Sequence, residues 1–199
     1  MNNFWDERYS NPNYVYGTQP NQFFKEQIDK LRPGRILLVG EGEGRNAVYA
    51  AKLGWQVDAV DSSLAAKGKA MNLAKQNNVT INYETADIYT HNFPADTYDA
   101  IGIIFLHVNE NQKESEIFYK KLNDSLKIQG KVILELFSKN QLGKKSGGPQ
   151  ELSMLCSVEQ IKKYFPKLKH EILREENIFL SEGEFHQGKA SVIRFVGEK

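Results

Sequence analysis

The amino-acid sequence predicts an α/β fold, a doubly wound and mostly parallel sheet that ends in an antiparallel strand. Three observations carry that expectation. Strand-like and helix-like segments alternate from Arg35 to Phe137, a glycine-rich turn follows the first strand, and two late strand-like runs face each other with no helix between them.

The elements follow in order. Arg35–Val39 is a leucine- and isoleucine-rich run bounded by Pro33-Gly34 and Gly40, the pattern of a strand buried on both faces. Arg45–Leu53 reads as a helix with Ala47, Val48, Ala51 and Leu53 toward one side and Gly54 just past its end. Trp55–Asp61 is a second strand, Ser63–Asn77 a second helix rich in Ala, Lys and Leu, and Val79–Glu84 a third strand by alternation. Tyr98–Leu106 is an apolar run, read as a central strand. Gln112–Leu126 places Ile117, Phe118, Leu122 and Leu126 at helical spacing, and Gly130 is expected to turn the chain into a strand over Lys131–Phe137. A Gly/Lys/Ser loop, Lys139–Pro149, leads to a short helix over Val158–Phe165. Lys169–Phe179 and Lys189–Val196 then pair as a hairpin across Ser181-Glu-Gly183.

Composition bounds the function. The 199 residues suit one domain over 1–199, with residues 1–20 as an N-terminal arm or lid, and no repeat or linker divides them. Lys and Arg (26) nearly cancel Asp and Glu (25), so the formal charge of +1 argues against nucleic-acid binding, which needs a surplus of cations. The single Cys156 makes no internal disulfide, and no Cys/His cluster suggests a metal. No leader pattern or membrane-length apolar run is visible, so a cytoplasmic protein with no membrane partner is expected.

The chemistry is concentrated in Gly40-Glu-Gly-Glu-Gly-Arg-Asn46. A glycine-rich turn after a first strand brings backbone N–H groups and a helix N-terminus to a ligand, which points to a nucleotide-type cofactor. The spacing fits both GxGxG and, through Gly42, Gly44 and Ala47, a GxGxxA dinucleotide fingerprint. Charge separates the two. Glu41 and Glu43 would repel a pyrophosphate, whereas S-adenosylmethionine brings a sulfonium and an ammonium. Asp61, about twenty residues on at the end of the second strand, is placed to accept ribose hydroxyls from either cofactor. Asp87 and Ile88 follow the third strand, where one can receive an adenine amino group and the other pack on the ring. No GK[ST] or GxSxG motif supports nucleotide hydrolysis or serine-hydrolase chemistry.

Gly40-Glu-Gly-Glu-Gly-Arg-Asn-Ala47, Val60-Asp-Ser-Ser63 and Ala86-Asp-Ile88 resemble, in order and spacing, the cofactor motifs of class I S-adenosylmethionine-dependent methyltransferases. Phe4-Trp-Asp-Glu-Arg-Tyr9, Tyr14-Val-Tyr-Gly17, Ser146-Gly-Gly-Pro149 and Glu182-Gly183 with His186-Gln-Gly188 are similar to the small bacterial tellurite-resistance-type branch, related to thiopurine-type enzymes. The resemblance covers nearly the whole chain. It implies a Rossmann-like seven-stranded sheet with an antiparallel last strand, and S-adenosylmethionine as donor, leaving as S-adenosylhomocysteine. It implies cofactor contacts at Gly40, Glu41, Gly42, Gly44, Asn46, Asp61, Ser62, Ser63, Asp87, Ile88 and Phe105.

The acceptor side is read from loops. His107, just past the central strand, sits where open sheets place ligands, and His186 is read into the turn between the last two strands; these are the candidate bases. Trp5, Tyr14, Tyr16, Gly148 and His186 are candidates for the acceptor or lid side, the N-terminal aromatics showing no helical or strand period. With most of the chain in the core, a small-molecule acceptor and a monomer are expected, the methyl passing by in-line displacement. Two other readings stay open: a non-catalytic S-adenosylmethionine-binding protein and an NAD(P)-dependent oxidoreductase.

Overall fold

The computed structural model describes residues 3–108 and 113–199, so Gln112, the expected first residue of the third long helix, lies outside the described residues. Two short helices open the chain, α1 (Asn3–Tyr9) and α2 (Gln22–Ile28). The alternating unit follows: β1 (Arg35–Val39), α3 (Arg45–Lys52), β2 (Gln56–Asp61), α4 (Leu64–Gln76), β3 (Asn82–Thr85), β4 (Tyr98–Ile104), α5 (Lys113–Ser125) and β5 (Leu126–Phe137). It ends with α6 (Val158–Tyr164), β6 (Lys169–Glu182) and β7 (His186–Glu198).

One seven-stranded sheet has the order β3-β2-β1-β4-β5-β7-β6. The first five strands run parallel, and β7 is antiparallel to both β5 and β6. The expected fold class is therefore the observed one, with β7 inserted between β5 and the edge strand β6. Alternation along β1 shows why its sequence is apolar throughout. Leu37 and Val39 enter the core beneath α5 and α6, while Ile36 and Leu38 enter the opposite core beneath α2, α3 and α4. Each layer has aromatic anchors, Phe118, Tyr119 and Phe165 on one side and Phe23 and Phe24 on the other, all essentially inaccessible to solvent. Each such buried ring stabilises the fold by roughly 1.5–3 kcal/mol.

Several boundaries differ from the expectation. The N-terminal arm is partly helical: Trp5 and Tyr9, four residues apart, stack at 5.6 Å on α1, so a helical period is present after all. The helix α2 has no counterpart in the sequence reading. Asn21 caps it, its side chain accepting the Phe24 amide proton. The third strand begins at Asn82 rather than Val79. The central strand stops at Ile104, because Phe105 turns the backbone to φ +53°. The fifth strand begins at Leu126, before Gly130, and is bent at Gln129 (φ +64°) beside a register shift against β4. The hairpin strands run longer than expected and the turn moves to residues 183–185. His186 is thus the first residue of β7 and buried, not a turn residue.

Candidate functional site

The site lies at the carboxyl ends of β1, β2, β4 and β5. Gly40, Gly42 and Gly44 all adopt positive φ, and a Cβ on any of them would lie under 3.0 Å from Leu106, Tyr9 or Ala70. The turn is therefore packed tightly by the chain itself, with the arm's Tyr9 against Gly42. Asp61 closes it from β2: one carboxylate oxygen accepts the Gly42 amide proton at 2.9 Å and the other that of Ser63 at 2.9 Å. Tyr83 donates to the Gly42 carbonyl at 2.6 Å. Burial raises the Asp61 pKa above its usual value, with backbone amides opposing. Thr85, the register partner of Asp61 on β3, carries a buried hydroxyl with no partner among the described residues.

The two glutamates of the turn are not bare charges. Glu41 accepts the Ala47 amide proton at 2.7 Å, at the N-terminus of α3, and burial pushes its pKa up to about 7. Glu43 pairs with Lys69 at 2.7 Å and accepts the Tyr16 amide proton. The sequence-level charge argument against a pyrophosphate is accordingly weaker in the folded chain. Asn46 and Ser63 have structural partners as well: the Asn46 side chain accepts the Asn21 amide proton, and Ser63 caps α4 while donating to Asp6. Ser62 and Ile88 are half-buried, and Asp87 is exposed, accepting the Tyr89 amide proton.

Residues expected on the acceptor side assemble around Phe137. Its ring lies 4.5 Å from Phe105, 5.4 Å from His186 and 5.5 Å from His107, so the two histidines expected from sequence flank one aromatic wall. Tyr16 approaches His186 at 4.6 Å. The segment with Gly147 and Gly148 presses on the same place, since Cβ atoms there would meet His186 and Phe137 at 2.6 Å. Gly148, Tyr16 and His186 thus come together. Trp5 and Tyr14 stand further out: Trp5 stacks on Tyr9, and Tyr14 donates to the Lys69 carbonyl on α4.

Beneath His186 lies a polar network that sequence reasoning missed. The Glu182 carboxylate sits 3.4 Å from His186 Nδ1 and pairs with Arg45 at 2.9 Å. Asn21 donates to Glu182 at 3.1 Å and to the fully buried Glu135 at 2.7 Å. Arg194 reaches Glu135 and, at 2.8 Å, Glu176. Burial opposes the Glu182 charge, but the His186 hydrogen bond and Arg45 prevail and hold its pKa near 2. Burial lowers the His186 pKa against the same hydrogen bond. The one local signal was Glu182 itself, four residues before His186. His107 is half-buried: its Nδ1 lies 2.9 Å from the Met154 carbonyl, and burial lowers its pKa to about 4.

Residues 36–130 match the family described as a methyltransferase domain. No curated protein matches the chain. Among solved structures, the fold is similar to TehB from Haemophilus influenzae at 16% identity and a TM-score of 0.71, covering 90% of this chain and 62% of that one. It is similar to an S-adenosylmethionine-dependent methyltransferase from Methanosarcina mazei at 14% identity and a TM-score of 0.72, covering 91% and 98%. The [4+2]-cyclase SpnF shares the fold at 14% identity and a TM-score of 0.66, covering 94% and 87%.

Proposed function

We propose that the chain, whose residues 36–130 match a methyltransferase domain, uses S-adenosylmethionine to methylate a small-molecule acceptor at the aromatic wall around Phe137. The observation that supports the cofactor's place is the pairing of Asp61 with Thr85. A buried carboxylate beside a buried, unpartnered hydroxyl, next to a turn of three positive-φ glycines, fits the hydroxyls and amino group of an adenosine. In this reading Gly40, Gly42 and Gly44 admit the cofactor backbone to backbone, Asp61 receives its ribose, and Asp87 and Ile88 flank its adenine. Glu41, Asn46, Ser62 and Ser63 shape the pocket, the first two by holding the start of α3. When bound, the cofactor supplies an already activated methyl group.

The chain's own work is orientation and proton handling. Glu182 faces Nδ1 of His186, so the ring donates there and keeps Nε2 free to take a proton from the acceptor. Arg45, next to Gly44, grips the same carboxylate and so ties this base to the cofactor turn. Phe105, Phe137 and Tyr16 exclude water around it. The arm, the loop around Gly148 and the hairpin all close on His186, an enclosure suited to a small acceptor rather than a polymer. We take the chain to act as a monomer. Its likeness to TehB brings no acceptor with it.

Release of S-adenosylhomocysteine from a panel of small thiols, selenols, alcohols, amines and oxyanions tests this. The reading expects at least one acceptor to be turned over, and His186→Ala to slow that turnover about 100-fold while leaving S-adenosylhomocysteine affinity intact. Unchanged turnover in that variant would remove His186 from the chemistry.

A further inference from the structure

His107 lines a crypt with Val108, Tyr119, Leu136, Met154 and Leu155, set at the carboxyl ends of β4 and β5 beside α5. It has room for about one water molecule. The Met154 carbonyl facing Nδ1 can only accept, so Nδ1 carries the ring proton. Nε2 is then a bare lone pair, sealed from solvent and without a partner among the described residues. Because burial holds the ring neutral, solvent protons do not fill that lone pair near neutral pH. A buried acceptor left in this state favours any group that donates to it.

The surroundings select the charge of that group. The remaining crypt walls, which also include Cys156 and Tyr164 and so two tyrosine side chains, carry no cation. The buried cations of the neighbouring cleft are already engaged, Arg45 by Glu182 and Arg194 by Glu135 and Glu176. An anion entering here would lose its hydration without meeting an unpaired positive charge.

Building on the methyltransferase reading above, we propose that this crypt is the subsite for an uncharged, hydrogen-donating group of the methyl acceptor, an O–H, N–H or S–H on an otherwise apolar molecule, held by Nε2 of His107. Oxyanions are rejected there. His107 acts in recognition, and proton removal stays with His186, which meets the Phe137 ring edge-on while His107 stacks on it.

Histidine-labelled full-length chain saturated with S-adenosylhomocysteine, followed by nitrogen-15 NMR, tests the proposal. Ethanol and ethanethiol are expected to shift the His107 Nε2 resonance toward that of a hydrogen-bonded nitrogen, while acetate and selenite leave it in place. His107→Phe should keep S-adenosylhomocysteine affinity and lose about tenfold or more in kcat/KM with any neutral acceptor that is turned over, the loss of one hydrogen bond. The proposal is overturned if a resident water already occupies Nε2 and no probe moves it. It is equally overturned if the anions shift it as the neutral probes do, or if His107→Phe turns over like the wild type. Failure to bind S-adenosylhomocysteine at all would instead count against the methyltransferase reading.

Discussion

Buried at the glycine turn, Glu41 holds α3 in place while its own ionisation works against the fold. Its folded pKa, about 7, lies above the ordinary 4.5, so its stabilising contribution is complete below about pH 4.5 and is lost as pH rises through 7. Glu41→Gln keeps an oxygen for the Ala47 amide and removes the charge. The variant should therefore match the wild type at pH 5 and exceed its unfolding free energy by about 1–3 kcal/mol at pH 8, as read from denaturant melts. A difference that does not change with pH would contradict the assignment. Residues of this kind were legible from sequence where one segment makes the feature, as at Gly40, Gly42, Gly44 and Asp61. They were illegible where partners come from far along the chain: Glu182 meets Arg45 from 137 residues away and Glu135 meets Asn21 from 114. His186 and His107 were singled out by position, but their burial and neutral state depend on walls that no local pattern announces.

Among the elements, the parallel β/α core was read nearly as it stands, because strands buried on both faces leave continuous apolar runs. The helices α1 and α2 were missed, each seven residues long and too short for periodicity to declare itself. The hairpin was read too short because edge strand β6 is exposed along most of its length and so lacks an apolar signature. Those two errors meet at one contact. The turn after β6 is clasped by the arm, Glu184 donating its amide proton to the Val15 carbonyl at 2.9 Å. A Cβ on Gly183, which has φ +64°, would fall 2.4 Å from that carbonyl oxygen. Gly183→Ala should lower stability by about 1–3 kcal/mol, and free the arm to faster amide hydrogen exchange over residues 14–17. Unchanged exchange there would show that the arm is held elsewhere.

At the scale of the whole molecule, the sheet order brings the glycine turn, Asp61 and Thr85 to one side of the strand ends and the Phe137 wall with its two histidines to the other. The arm, the Gly148 loop and the β6–β7 turn close over them, so the face that sequence analysis divided into lid, loop and turn works as one enclosure. Among the described residues no helix is long and apolar enough to cross a membrane. The central claim is that a methyl-donor cofactor binds at the glycine turn through Asp61. Calorimetric titration of S-adenosylhomocysteine into the wild type and Asp61→Ala, with NAD as the competing ligand, tests it most directly. Saturable one-to-one binding in the wild type, weakened at least about 100-fold in the variant and with no heat from NAD, is the expected result; equal affinity in both proteins, or tight NAD binding without a response to S-adenosylhomocysteine, would contradict it.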